Sequence, residues 1–570
     1  MPTLQFKGKT AVQTYHYTVP HHTLAFDPAA SVLEDGLTPS LDGNVIIEGD
    51  NLLALKALLP THTGRIKCVY IDPPYNTGNE GWVYNDNLTQ PQFKEWIGQV
   101  VGKEGEDACR HDKWCCMMYP RLMLLKELLR EDGVIFVSID DNEVASLRFL
   151  MDDVFGSENF IACVANVNNP KGRSDDRYVA TAHEYLMIYQ MGKVNFGAWL
   201  PDDIVIKRYN KSDDEGLKYR EIDLRKTGDN DRREDRENLF YYFLYNKLTG
   251  ELKPTKDEQI PEGFIQILPL KEDGSHGNWR WELKTAQEKL SILIPKMMPV
   301  RKVWTVFEKD YLEAEETVKP TTAWTKPEFN SERGSEQFRN LGFDKENFQR
   351  PKPIGLLGRI LELGTKPGSG DIILDSFAGS GTTGQAVLEL NKEDGGSRKF
   401  ILVQQKYDSK DDEKKKLNIC RTITAERVRR VIAGQGVPAT GGGFTYARVS
   451  ETPLFGEYRD FGDVPPPYED LAKYVFYTET SRQWDPAGMN RETGLIGAHG
   501  GTSYFLLYTP DGEANAALDL KWLGSAAASD PNARLVVYCE KFWMHRDELR
   551  RWEGDHRKSV RPMIVPFQLK

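Results

Sequence analysis

The sequence predicts an α/β protein: a doubly wound, Rossmann-like sheet carrying a large inserted region and followed by a small C-terminal α+β segment. Three observations predict it. Apolar runs at 45–47, 68–71, 134–139, 372–374 and 400–403 are too short for buried helices and alternate with stretches of helical periodicity. Two of these runs empty into turns with unusual punctuation, Asp72-Pro73-Pro74-Tyr75 and Ser376-Phe377-Ala378-Gly379-Ser380-Gly381-Thr382-Thr383. Between about 191 and 340 the alternation stops, and it resumes afterwards, as it does when one domain interrupts another.

Taken in order, residues 1–43 hold Pro20, Pro28, Pro39 and a His21-His22 pair without sustained periodicity and read as an extended arm. Residues 44–48 form a short strand. Gly49-Asp50-Asn51 and the periodic LLALKALL that comes next give a helix closed between Pro60 and Gly64, and Cys68-Val69-Tyr70-Ile71 is the next strand. Pro120 marks a helix start, with Leu122, Leu125 and Leu129 on one face and Asp132-Gly133 as the stop. Residues 134–139 are a buried strand, and Val144, Leu147, Leu150, Met151 and Val154 form the apolar side of a helix ending at Gly156. A strand through 184–189 completes a first half, 44–190. His183-Glu184 ahead of it reads as an ordinary turn rather than a catalytic acid and base.

The insert, 191–340, interleaves arginines with aromatics. Arg225, Arg232, Arg233 and Arg236 are candidates for contacts to guanine edges and phosphates, although their acidic neighbours also suit a solvated face. Residues 341–440 form a second half. There a strand runs into the glycine turn and then a helix, GQAVLEL, and a further strand ends at Gln404. A basic helix near 425–432 leads to the glycine-rich stretch 434–443, and 441–570 adds short strands without a catalytic constellation.

The chain has 570 residues, 39% hydrophobic and 28% charged, with a net charge of −11. That composition is globular, predicts no membrane span, and disfavours a uniformly basic coat while allowing a local basic groove. No signal-peptide core opens the sequence, and its seven cysteines form no regular framework, so a reducing cytoplasm is expected. Cys109, His111, Cys115 and Cys116 lack a zinc-ligand spacing, so no metal is expected.

The chemistry concentrates in the two turns. Two prolines remove two N–H donors, so the first turn presents acceptors: the Asp72 carboxylate and nearby carbonyls. Such a turn suits an exocyclic amino group, and Tyr75 offers a flat face for a base lifted out of its stack. The second turn lets backbone approach a ligand closely. It lacks the Gly-x-Gly-x-x-Gly spacing of a dinucleotide site and the Gly-Lys-Ser/Thr of a P-loop, so a nucleoside triphosphate is disfavoured. Each half alone is incomplete; side by side in one sheet they would make one pocket.

IDPPYNTG, with EGDNLLALKAL before it and YNDN after it, resembles the amino-methyltransferases that act on nucleic acid, and in particular the Mod subunit of type III restriction-modification systems. FAGSG is similar to the S-adenosylmethionine motif, and its place after DPPY across a large insert resembles the permuted order of the beta class of DNA amino-methyltransferases. PRLMLLKELL, GVIFVSIDDNEV, RKTGDNDRREDRENLFY and PKPIGLLGRIL extend the likeness over about 43–450. The resemblance implies a doubly wound methyltransferase sheet that binds S-adenosylmethionine and methylates adenine N6 in double-stranded DNA by base flipping. It implies that Asp72, Pro73, Pro74 and Tyr75 hold the adenine, that Phe377, Gly379, Gly381 and Thr382 form the cofactor loop, that Asp375 meets the methionine amino group and Asp50 the cofactor adenine. Lys352-Pro353 resembles the motif preceding that loop. Gln404 stands where the family often has Glu at the ribose. A homodimer and a separate restriction (helicase-nuclease) partner are further implications. N4-cytosine methylation is the nearest alternative, although Ser before Pro-Pro is the usual cue for it. An RNA or protein-glutamine methyltransferase fits the permuted order poorly, and a catalytically silent specificity subunit fits the intact motifs poorly.

Overall fold

The computed structural model describes the chain except residues 1–3, 35, 78–106, 175, 195, 198, 200–205, 313–316, 408–409, 456–460, 462–464, 511–516 and 566–570. The YNDN segment lies outside the described residues. Residues 1–197 and 321–570 form one compact unit and 198–320 another.

The larger unit is organised on ten strands: β1 (Leu24–Phe26), β2 (Val45–Glu48), β3 (Ile66–Ile71), β4 (Leu129–Ile139), β5 (Phe160–Asn166), β6 (Glu184–Gln190), β7 (Ala323–Trp324), β8 (Ile372–Asp375), β9 (Lys399–Gln404) and β10 (Thr445–Val449). Their order is β1-β10-β2-β9-β8-β3-β4-β6-β5-β7. From β10 to β4 every neighbouring pair is parallel. β3 and β8, widely separated in sequence, lie side by side with Val69 opposite Leu374. Both are buried throughout, as a strand covered by helices on two faces must be.

Six helices matter to the site: α1 (Asn51–His62), α2 (Asp107–Leu128), α3 (Val144–Phe155), α4 (Ile354–Gly364), α5 (Thr382–Asp394) and α6 (Ala425–Ala433). Pro120 does not start a helix as expected; it sits inside α2. Trp114, Met118, Leu122 and Leu125, all fully buried on one helical face, continue through it, and that packing outweighs the one lost backbone bond. Asp132-Gly133 is likewise not the stop. It lies within β4, where the register against β3 slips between Leu129 and Val134, and Lys67 and Arg130 bind Asp132. The arm is not wholly extended: short helices at Lys9–Val12 and Tyr15–Thr18 pack on α2, and β1 adds an antiparallel edge to β10.

The smaller unit, 198–320, is β-rich. One antiparallel sheet holds Lys211–Ser212, Lys218–Asp223, Val303–Tyr311 and Leu293–Met298, another holds Leu252–Thr255, Tyr242–Asn246 and Phe264–Ile267, and Trp279, Tyr241 and Phe243 fill the core. Residues 321–340, expected with the insert, belong to the larger unit and supply β7 to its sheet. Beyond β10, strands Leu495–His499, Thr502–Leu507, Arg534–Cys539 and Ser559–Ile564 make a separate sheet whose last three members are parallel. The Tyr477 hydroxyl, donating to Glu127 of α2 at 2.9 Å, ties this segment to the main body. Among the described residues no helix is long and apolar enough to cross a membrane.

Candidate active site

Parallel pairing of β3 with β8, and of β9 with β2, brings four strand carboxyl ends to one edge, where ligands bind in open α/β sheets. Asp72 follows β3, Gly49-Asp50 follows β2, Asp375 ends β8 and Gln404 ends β9. The DPPY turn and the glycine turn, remote in sequence, are thereby adjacent.

The first turn is held rigidly. The indole of Trp114 on α2 donates to the Pro74 carbonyl at 2.7 Å. Asn76 turns the chain in the left-handed region (φ 58°), which Asn tolerates better than most residues; its buried amide donates to Glu143 and to the Arg110 carbonyl. Glu143, fully buried, also faces His111 Nδ1 at 2.7 Å. His111 thus serves the turn. Cys115 and Cys116 are buried in the core, and the Cys109 side chain lies outside the described residues.

Asp72 is the centre of a charged cluster. The Tyr75 hydroxyl donates to Asp72 Oδ1 at 2.8 Å and lies 3.0 Å from Glu184 Oε2. The Lys352 ammonium is 2.7 Å from Tyr75 Oη, 2.7 Å from Glu184 Oε2 and 3.3 Å from Asp72 Oδ1. Burial raises the Asp72 carboxyl above the usual carboxylate range, Lys352 opposes that, and Glu184 adds to it. Burial pulls the Lys352 ammonium down, but the two carboxylates overcome it and leave its proton more tightly held than usual. Glu184, which the sequence presents as a plain turn residue, is therefore part of the site. Lys352, expected at the cofactor, points its ammonium at the DPPY turn, while its carbonyl accepts from the Thr382 hydroxyl at 3.2 Å.

The glycine turn is built for close approach. Gly379 and Gly381 have φ of 50° and 80°, and a Cβ on Gly381 would come within 2.9 Å of the Thr424 carbonyl oxygen. Asp375, almost fully buried, accepts from Thr383 Oγ1 at 2.5 Å and from the Phe377 N–H at 3.0 Å. Burial pushes its carboxyl up to about 7 despite those two bonds, with Asp72 adding to the rise. Gln404 Oε1 accepts the Gly379 N–H at 2.7 Å, so it holds the loop itself. Asp50 caps α1, its Oδ1 accepting from Leu52 and Leu53 N–H, while Oδ2 stands 3.5 Å from the buried Arg121. That cap is reason enough for an aspartate here, whatever else it meets. Pro353 caps α4.

Arg427 is hidden within a run that reads as a basic helix. It is fully buried and donates to Gln385, Ser380 and Thr382 at 2.7–2.8 Å, fastening α6 to the glycine turn. Burial lowers its guanidinium to about 9. Periodicity gave the one available signal: Arg427 shares an α6 face with the buried Val428 and Val431.

In the smaller unit, Arg232, Arg233 and Arg236 are exposed around a single turn at Arg233–Asp235 and make no ion pair with a described residue. The Arg233 guanidinium lies over the Phe240 ring at 4.1 Å. Arg225 is half-buried, bridged to Trp279.

Residues 66–415 match the model of a family described as DNA methylase. The chain is 36% identical over 362 residues to the type II methyltransferase M.KpnI of Klebsiella pneumoniae, covering 63% of this chain and 80% of the relative. The type III restriction-modification enzyme EcoPI Mod subunit of Escherichia phage P1 is 32% identical over 416 residues, 71% of this chain and 63% of that subunit. The StyLTI Mod subunit of Salmonella typhimurium is 30% identical over 427 residues, 68% and 57%. The chain thus spans somewhat under two thirds of these Mod subunits. The matched segment contains both turns and the strands that bring them together, and the chain belongs to the DNA methylase family.

Proposed function

We propose that the chain transfers a methyl group from S-adenosylmethionine to adenine N6 of a base flipped out of duplex DNA, as the modification and specificity subunit of a type III restriction-modification system in the bacterial cytoplasm. The observation that carries this reading is the adjacency of β3 and β8, which sets an acceptor turn beside a glycine turn at one sheet edge. The Mod relatives support the type III assignment, a DNA substrate and a separate restriction partner; a homodimer follows from the family resemblance.

The donor set fits the cofactor. Its ammonium would meet Asp375, its ribose would lie by the strand end at Gln404, and the left-handed glycines hold the turn in a conformation that side chains resist. When bound, S-adenosylmethionine supplies an electrophilic methyl group on a sulfonium. The protein supplies orientation and charge. An aromatic amine shares its lone pair with the ring, and accepting its N–H groups at Asp72 and the Pro73 carbonyl localises that pair on nitrogen. Tyr75 offers a face for the base. Asp72 can also accept the proton that the nitrogen sheds after it gains the methyl.

Asp before Pro-Pro favours adenine over N4-cytosine, and sequencing that reads modified bases in DNA from cells expressing the chain decides base, position and motif together. Asp72→Ala should abolish methyl incorporation while leaving cofactor affinity within about twofold of the parent. An active Asp72→Ala protein removes the mechanism.

A further inference from the structure

Lys352 poses a problem for methyl transfer at Asp72. An ammonium seated on the carboxylate that must receive an amine competes with the substrate. The geometry shows how this is avoided. Lys352 Nζ spends its two short contacts, 2.7 Å each, on Glu184 Oε2 and Tyr75 Oη, and reaches Asp72 Oδ1 only at 3.3 Å. The Tyr75 hydroxyl oxygen also lies 2.8 Å from Asp72 Oδ1, and 3.0 Å from Glu184 Oε2. Both neighbours therefore use the same oxygen, and among the described residues Asp72 Oδ2 has no hydrogen-bond partner.

Glu184 is fixed from behind. Antiparallel pairing of β5 with β6 places Asn166 directly opposite it, and the fully buried Asn166 amide donates to Glu184 Oε1 at 3.1 Å. The Asn166 Oδ1 is left without a partner among the described residues, so the amide is oriented by Glu184. Two carboxyl groups, Asp72 and Glu184, thus share one ammonium, that of Lys352.

We propose that Glu184 is a positioning residue for the transfer, a role that rests on the methyltransferase reading of this site: by holding Lys352 and Tyr75 on one side of Asp72, it keeps Asp72 Oδ2 open for the amino group of the flipped base. The groups that bear on the Asp72 charge are Lys352 ahead of α4, Glu184 on β6, Tyr75 in the turn, Tyr70 on β3 and Asp375 on β8.

Glu184→Gln keeps the shape and removes the charge. Without its counter-ion, Lys352 closes on Asp72, and the carboxylate loses a like-charged neighbour. Both changes ease ionisation of Asp72, so its titration midpoint falls by roughly one to three pH units. Lys352→Gln moves the midpoint the other way, because the two carboxylates then face each other unscreened. The midpoint is read on the full-length protein from the carboxylic-acid band in infrared difference spectra, assigned by its loss in Asp72→Asn. Methylation of duplex DNA is followed in parallel. Glu184→Gln should lower kcat at least about tenfold, move the acid limb of the rate profile down with the infrared midpoint, and leave S-adenosylmethionine affinity within about twofold. Opposite displacements joined to the loss of kcat in Glu184→Gln at unchanged cofactor affinity support the proposal, since a merely structural role moves neither midpoint; an unchanged kcat overturns it. Unmoved midpoints, or movement in the same direction, overturn it. A parent protein that incorporates no methyl into DNA instead overturns the methyltransferase reading, and the infrared titration tells the two failures apart.

Discussion

Asp375 offers the sharpest test of how burial is used here. Its carboxyl is enclosed at the end of β8, with two hydrogen bonds holding it and Asp72 nearby, and its pKa is raised from 3.8 to about 7. An unfolded aspartate ionises near 3.9, so the folded value is the higher one. Its contribution to stability is then fully present below about pH 4 and is lost as pH rises through about 7. At 1.36 kcal/mol per pH unit the whole difference amounts to about 4 kcal/mol, an upper bound because local relaxation softens it. Asp375→Asn is nearly isosteric: the amide oxygen still accepts the Phe377 N–H, and the amide N–H groups can turn to the Thr383 oxygen. The variant carries no charge at any pH. Urea unfolding of cofactor-free protein should therefore show variant and parent matched near pH 4. The variant should gain by about 1.4 kcal/mol per pH unit up to about pH 7 and then hold a constant advantage. Calorimetry with S-adenosylmethionine should run the other way. Parental affinity rises as pH passes through about 7 and the carboxylate forms, whereas the variant binds weakly throughout. Stability curves that stay parallel across this range, or a variant less stable at pH 8 than its parent, refute the argument that a buried carboxylate is maintained here at a cost in stability.

Two further expectations concern backbone and surface. Gly381→Ala should weaken cofactor binding by at least about tenfold, because φ of 80° penalises a side chain and the new Cβ meets backbone at Thr424; Gly379→Ala should be milder, since its Cβ would meet only the tip of the Phe348 ring, and titration calorimetry compares them. Replacing Arg232, Arg233 or Arg236 with Ala should weaken duplex binding and lower the slope of log affinity against log salt by about 0.9 for each lost phosphate contact; an unchanged slope in fluorescence anisotropy removes that residue from the interface.

The sequence by itself determined the chemistry-bearing turns and the strands that lead into them. Asp72-Pro73-Pro74-Tyr75 and Phe377 to Thr383 were legible because proline and glycine act locally: each constrains or frees its own backbone whatever surrounds it. The strands 68–71, 134–139 and 372–374 were legible because short apolar runs have few other fates. Helix ends were less so. Pro120 and Asp132-Gly133 carry the marks of a start and a stop, yet the buried face from Trp114 to Leu125 and the slipped register against β3 overrode them. Only the tertiary structure decided which polar residues belong to the site. Glu184 reaches Asp72 because β6 lies antiparallel beside β4, with β4 between it and β3; nothing near position 184 announces that pairing. Arg427 stands among the charged neighbours Glu426, Arg429 and Arg430 and differs from the two arginines only in facing inward, whereas those two pair with Glu426. A charged residue's solvation depends on what packs over it, and that is a property of the assembled sheet and helices, not of the residues beside it in the chain.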